Sequence, residues 1–220
     1  MNPTRHPASW VFTAAIALAA ALPGMPAGAG DLERGEALYQ LCQQCHGAEG
    51  AGDPMALAPS IAGLPQWFVE AQLVKFQQGA RGTHFDDLEG MRMRPMSMWL
   101  GRPADSADVA DVAAYVAAMP KVSPEQTVHG DVEAGKAKYI PCVACHGQQG
   151  EGNAALKAPP LAGMSDWYQV RSLQKFKEGI RGTNPKDPQG MLMRPMSMTL
   201  ADEQAILDVV AYINTLDPAE

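Results

Sequence analysis

Apolar residues recur at helical spacing near the ends of two long, similar stretches of the chain. Val109, Val112, Ala113 and Val116 stand at i, i+3, i+4 and i+7, and Ile206, Val209, Val210 and Ile213 repeat the pattern. That spacing lines one face of an amphipathic helix. Upstream, PQWFVEAQLVKFQQG and SDWYQVRSLQKFKEG predict a second pair of helices, each closed by a glycine just past its end, Gly79 and Gly179. A third pair starts near Leu32 and Val132. Three helices per half are expected. The chain between them is rich in glycine and proline, and no alternating strand pattern interrupts it, so the predicted class is all-α. Another apolar run, Trp10 to Leu22, follows Arg5 and leads to Ala27-Gly28-Ala29. A basic start, a short apolar run and a small-x-small site predict a cleavable signal peptide over residues 1–29. The run is short for a bilayer span, and the alternative is a retained anchor.

The two halves align with an offset of 100 residues. Gly35 and Tyr39 match Gly135 and Tyr139, Trp67 matches Trp167, and Lys75-Phe76 matches Lys175-Phe176. Arg81-Gly82-Thr83 matches Arg181-Gly182-Thr183, and MRMRPMSM at Met91 matches MLMRPMSM at Met191. The register slips by three residues near Gly101-Arg102-Pro103, so that Tyr115 pairs with Tyr212. This is an internal duplication with a long period. The polar, proline-bearing stretch PKVSPEQTVHG reads as a linker over 120–130, between domains at 30–119 and 131–220. Domains of this size bury only a modest apolar core, so something besides side chains is expected to fill each middle.

Charge and cysteine count narrow the function. Cleavage of the leader removes only Arg5 among the charged residues, leaving 16 basic and 24 acidic side chains. An acidic surface argues against a nucleic-acid partner. An exported chain with four cysteines would ordinarily suggest disulfides, but their placement points elsewhere. Cys42, Cys45 and His46 form C-x-x-C-H, and Cys142, Cys145 and His146 repeat it. On a helical turn residues i and i+3 share a face, so both thiols can reach the two vinyl groups of one porphyrin. The histidine at the next position comes beneath the iron. A thioredoxin-like motif needs a βαβ setting, and a zinc site does not require histidine directly after the second cysteine. Two covalently bound haem c groups are the expected cofactors.

Each half, read on these motifs, resembles a class I cytochrome c, and the whole resembles the dihaem cytochrome c4 family. The resemblance rests on GEALYQLCQQCHGAEG and AGKAKYIPCVACHGQQG, on the P-x-[IL]-A-G segments at Pro59 and Pro159, on K-F-x-x-G-x-R-G, and on the final helices DVADVAAYV and AILDVVAYI. It covers residues 30 to the C-terminus. It implies two tandem all-α domains, each wrapped around one haem, with the first and last helices crossing. It further implies that the carbonyls of Pro59 and Pro159 accept the proton on the proximal histidine's other nitrogen, a bond that fixes the ring and raises ligand basicity.

The methionine runs acquire a purpose from the same resemblance. The family pattern M-x-P-x-x-x-x-L fits Met93-Arg94-Pro95 with Leu100, and Met193-Arg194-Pro195 with Leu200. Met93 and Met193 are the implied axial ligands. A slipped register would transfer the role to Met96 and Met196, and the remaining methionines are packing residues. A thioether is a soft, neutral donor that favours ferrous iron. Arg81 and Arg181 could pair with haem propionates, since a guanidinium matches a carboxylate, or stand solvated at the surface.

The expected function is electron transfer, not catalysis: a periplasmic dihaem carrier with two His/Met-ligated irons. Expected partners are a quinol–cytochrome c oxidoreductase upstream and a terminal oxidase or reductase downstream, with association to membrane complexes possible. The alternatives are a haem-bearing subunit of a dehydrogenase or terminal oxidase complex, and a dihaem enzyme such as a thiosulfate dehydrogenase.

Overall fold

The computed structural model describes residues 1, 30–101 and 107–217. The expected signal peptide lies outside the described residues, as does most of the extra loop after Gly101. Eight helices follow one another: α1 (Leu32–His46), α2 (Gln66–Gln77), α3 (Leu88–Trp99), α4 (Ala107–Ala118), α5 (Val132–His146), α6 (Asp166–Lys177), α7 (Pro188–Ser197) and α8 (Glu203–Ile213). Among the described residues there is no strand, only the isolated bridges Asp53–Ala58 and Asn153–Ala158. The architecture is two tandem four-helix units, all-α as expected. None of the described helices is long and apolar enough to cross a membrane.

Several helices start where an aspartate supplies the acceptor that a first turn lacks. Asp31 accepts from the Arg34 amide at 3.1 Å and Asp131 from the Ala134 amide at 3.0 Å. Asp187 accepts from the Gly190 amide at 2.9 Å and Asp202 from the Ala205 amide at 2.8 Å. Gly79 and Gly179 turn the chain out of α2 and α6 with φ of 71° and 77°, a conformation that side-chain-bearing residues resist.

The eight residues that the periodicity assigned to the last helices are all at most 3% exposed. They build one core per domain, with Tyr39, Leu73 and Leu100 in the first, and Tyr139, Val170 and Leu200 in the second. In each domain the first helix lies against the last. A side chain at Gly35 would overlap the Asp111 carbonyl, and one at Gly135 the Asp208 carbonyl. Glycine there lets the two backbones meet. Asp111 and Asp208 accept from the Asp31 and Asp131 amides at 2.8 and 2.9 Å, which ties each last helix to the first helix's start.

The sequence reading missed α3 and α7. Pro95 and Pro195 lie inside them, and their methionines, arginines and serines follow no single apolar stripe. What sustains them comes partly from the other domain. Lys75 Nζ lies 2.6 Å from Asp187 Oδ1, and Lys175 Nζ lies 2.7 Å from Asp87 Oδ1. Each lysine therefore reaches across to the aspartate capping the other domain's methionine helix. Burial alone would raise the Asp87 and Asp187 carboxyls, but the paired ammonium and nearby backbone amides outweigh it and hold both below the ordinary carboxylate range.

Asp166 is the main polar anchor of the linker, whose Val122 and Val128 pack on the first and second cores. Burial would raise the Asp166 carboxyl, yet it accepts from the Thr127 and Val128 amides at 2.6 and 2.8 Å and from the Trp167 amide at 2.6 Å, and is held low. Asn214 Nδ2 adds a bond at 3.1 Å. Asp166→Ala should cost about 1.5 kcal/mol, since it removes a charged acceptor from several part-buried donors; urea unfolding monitored by far-ultraviolet circular dichroism measures this. The pH dependence has a fixed sign. With folded values depressed, the native state binds fewer protons than the unfolded chain. Stability from Asp87, Asp166 and Asp187 is complete above the unfolded value of about 4 and disappears as pH falls through the lower folded values. From these three carboxylates the urea midpoint should fall steeply below about pH 4, on top of the earlier loss that the buried His46 and His146, with lowered proton affinity, bring as pH falls below about 6.5.

Candidate haem sites

Each site begins at the C-terminal end of a domain's first helix. Cys42, Cys45 and His46 occupy the last turn of α1, and Cys142, Cys145 and His146 the last turn of α5. Cys45 and Cys145 are exposed, while Cys42 and Cys142 are partly buried against the cores. All four thiols are free of disulfides. Burial pushes the Cys42 and Cys142 thiols up to about 11, which disfavours the thiolate that metal or disulfide-exchange chemistry would use. Among the described residues no three His, Cys, Asp or Glu side chains converge into a protein-only metal cage.

The loop after each histidine folds back over it. The Gly52 amide donates to the His46 carbonyl at 2.8 Å, and the Ile61 amide to the Gly50 carbonyl at 2.8 Å. The second domain repeats both bonds with Gly152 and Leu161. The loop brings the Pro59 carbonyl 2.8 Å from His46 Nδ1, and the Pro159 carbonyl 2.8 Å from His146 Nδ1. A carbonyl only accepts, so Nδ1 carries the proton and donates. That leaves Nε2 of each ring with its lone pair. Burial lowers both imidazoles' proton affinity, partly opposed by the proline carbonyls, and keeps the rings in the neutral form a metal ligand needs. Tyr39 and Tyr139 anchor the start of each loop by donating to the Gly47 and Gly147 carbonyls at 2.7 and 2.9 Å.

Beside His46 opens a cavity of about 450 Å³. That is within the range of cofactor sites. Cys42, Cys45, Pro59 and Arg81 line it, together with both Met93 and Met96. Met93 is partly buried and packed against the first core, whereas Met96 is exposed. In the second domain Met193 is partly buried and Met196 exposed. His84 is a surface residue stacked on Phe85.

Arg81 and Arg181 are not free surface residues. Their guanidinium groups stack on Phe76 and Phe176 at 4.3 and 4.4 Å from the ring centres. Arg81 donates to Gln72 at 2.7 Å, Arg181 to Ser172 at 3.1 Å, and both Nε atoms are buried without a partner. Burial and the positive charge of Arg81 push the Arg181 guanidinium down to about 10. Buried cationic donors with unfilled hydrogen bonds suit an anionic group such as a propionate. The donor set, the cavity and these arginines fit haem.

Four contributors were not visible in the sequence reading. Tyr168 of the second domain lines the first domain's cavity and accepts from Arg81 Nη2 at 2.8 Å; its counterpart, Phe68, has no hydroxyl. Asp87 and Asp187 repeat at the same offset as the cysteines, so the duplication itself carries their signal. Glu89, paired with Lys175 and Arg171, has Gln189 as its counterpart.

A duplicated helical domain that ends its first helix in C-x-x-C-H, with an apolar cavity opening beside the first of the two histidines, defines a dihaem c-type cytochrome. The cytochrome c family profile matches residues 32–120 and again 132–217, and the chain belongs to that family, as a dihaem protein of the cytochrome c4 kind. Cytochrome c4 of Pseudomonas aeruginosa is 31% identical over 210 residues, covering 91% of this chain and 96% of the relative. A thiosulfate dehydrogenase electron acceptor of Stutzerimonas stutzeri is 33% identical over 169 residues, 71% of this chain and 72% of the relative. Among solved structures, reduced recombinant cytochrome c4 from Pseudomonas stutzeri superposes with a TM-score of 0.67 at 26% identity, covering 86% of this chain and all of that one. The as-isolated thiosulfate dehydrogenase of Marichromatium purpuratum gives 0.67 at 28% identity, covering 84% of this chain and 40% of that one. Two haem c groups, attached through Cys42 and Cys45 and through Cys142 and Cys145, are the cofactors, and the protein is an electron carrier.

Proposed function

We propose that this chain is a periplasmic carrier in which His46 and Met93 ligate one iron and His146 and Met193 the other. The carrying observation is the pair of 2.8 Å bonds that commit both Nδ1 protons to proline carbonyls and free both Nε2 lone pairs. Bound haem supplies a one-electron ferric–ferrous couple. The chain's own residues orient the imidazoles through Pro59 and Pro159, keep water from the iron side with the two cores, and meet the propionates with Arg81 and Arg181. Partial burial of Met93 and Met193 favours them over the exposed Met96 and Met196. Export is supported by the leader pattern of residues 1–29, and helix boundaries at Ala118 and Val132 support domains at 30–119 and 131–220 joined by 120–130.

Two electron sources compete. Full-length similarity to cytochrome c4 supports a respiratory carrier that takes electrons from a quinol–cytochrome c oxidoreductase and gives them to a terminal oxidase or reductase. Similarity to thiosulfate dehydrogenase electron acceptors favours a dehydrogenase as the donor. Stopped-flow reduction decides: the oxidised protein should take up two electrons per chain from a quinol–cytochrome c oxidoreductase with quinol. Reduction only by a thiosulfate dehydrogenase with thiosulfate would assign the dehydrogenase role. Oxidation of thiosulfate by the isolated chain would overturn the carrier reading.

A further inference from the structure

The two haem sites repeat one another closely, but the peptide that holds the first proximal histidine has a contact the second lacks. The Pro59 carbonyl accepts from His46 Nδ1, and the N–H of the same peptide unit, on Ser60, donates to Ser165 Oγ at 2.8 Å. Ser165 belongs to the second domain. It precedes α6 as its cap residue, yet its hydroxyl makes no capping bond to that helix; it turns to the other domain's peptide instead. Ser60 and Ser165 are only 4% and 2% exposed, so water does not compete for this bond. At the equivalent place in the second domain the peptide is Pro159–Pro160, and proline has no N–H. The counterpart of Ser165 is Pro65, which has no hydroxyl. Both partners are missing from the second site on chemical grounds alone.

We infer that Ser165 is a positioning residue of the second domain that tunes the first domain's haem through the Pro59–Ser60 peptide. An amide that donates at its N–H carries more negative charge on its oxygen, because bonds in a chain polarise one another. The Pro59 carbonyl therefore holds the His46 Nδ1 proton more strongly than Pro159 holds that of His146. A more strongly held Nδ1 proton leaves Nε2 richer in electrons, which favours ferric iron. This contribution lowers the first haem's potential relative to the second. It also makes that potential depend on domain docking, because the hydroxyl is delivered across the interface.

The inference rests on the reading that His46 ligates the first iron, and the experiment separates the two. The holoprotein, Ser165→Ala and Ser60→Pro are titrated spectroelectrochemically, with the haems distinguished by their paramagnetically shifted proton resonances. Ser60→Pro copies the residue already accommodated at position 160. Both variants should raise the first haem's potential and leave the second unmoved. At a fixed applied potential the ferrous-to-ferric ratio of the first haem should rise about threefold, or ~28 mV at 59 mV per tenfold for one electron. Ser165→Thr, which keeps the hydroxyl, should restore the parent value. Unmoved potentials in both variants overturn the inference, as does an equal shift of both haems, which would mean general loosening of the interface. A parent protein whose first haem lacks a low-spin, histidine-ligated spectrum overturns the underlying reading instead.

Discussion

Replacing Met93 with alanine should remove half of the near-infrared methionine-to-ferric-iron band, and Met193→Ala should remove the other half. Both methionines sit mid-helix, partly buried, at the same place in α3 and α7. Loss of the thioether leaves the sixth position to water or an added ligand such as imidazole. Since a soft neutral donor favours ferrous iron, the affected haem's potential should fall by on the order of 0.1–0.3 V, within the roughly 0.8 V that axial ligands span. The unaffected haem serves as the internal reference. A full band persisting in either variant would move the ligand to the neighbouring Met96 or Met196.

Gly135→Ala should be strongly destabilising. A methyl group there overlaps the Asp208 carbonyl and comes within 2.9 Å of the Tyr212 Cβ. Backbone on both sides leaves no flexible group to yield, so α5 and α8 must separate. The cost should be about 3 kcal/mol, which for a domain of this size lowers Tm by roughly 15 °C. Because α5 carries Cys142, Cys145 and His146 at its far end, haem incorporation should drop as well. Scanning calorimetry and the haem-to-protein absorbance ratio measure the two effects. A change of Tm under about 3 °C would mean the crossing can open without loss.

The last helices were legible because a buried helical face must repeat near 3.6 residues, and the haem attachments because porphyrin chemistry fixes Cys, Cys and His within five consecutive positions. The methionine helices were not legible. Their proline and scattered sulfurs obscure any stripe, and their caps are completed by lysines from the other half. The even choice for Arg81 and Arg181 between propionate partner and solvated surface also could not be resolved from sequence, since their stacking on Phe76 and Phe176 is a tertiary fact. Ser165, Tyr168 and Asp166 escaped for a different reason. A search for what the halves share passes over residues whose importance lies in not being shared, and their partners lie 38 to 105 positions away.

The crossed lysine–aspartate pairs bind the two halves in their history as well as in space. Lys75 serves the cap of a helix encoded far downstream, and Lys175 serves one encoded upstream. Neither half could lose its lysine without taking an ion pair from its sibling, and a half excised alone would keep only the backbone amides and the arginine of its own domain on its capping aspartate. A duplication that begins as redundancy becomes, through two exchanged charges, a pair of halves each of which helps to complete the other's fold.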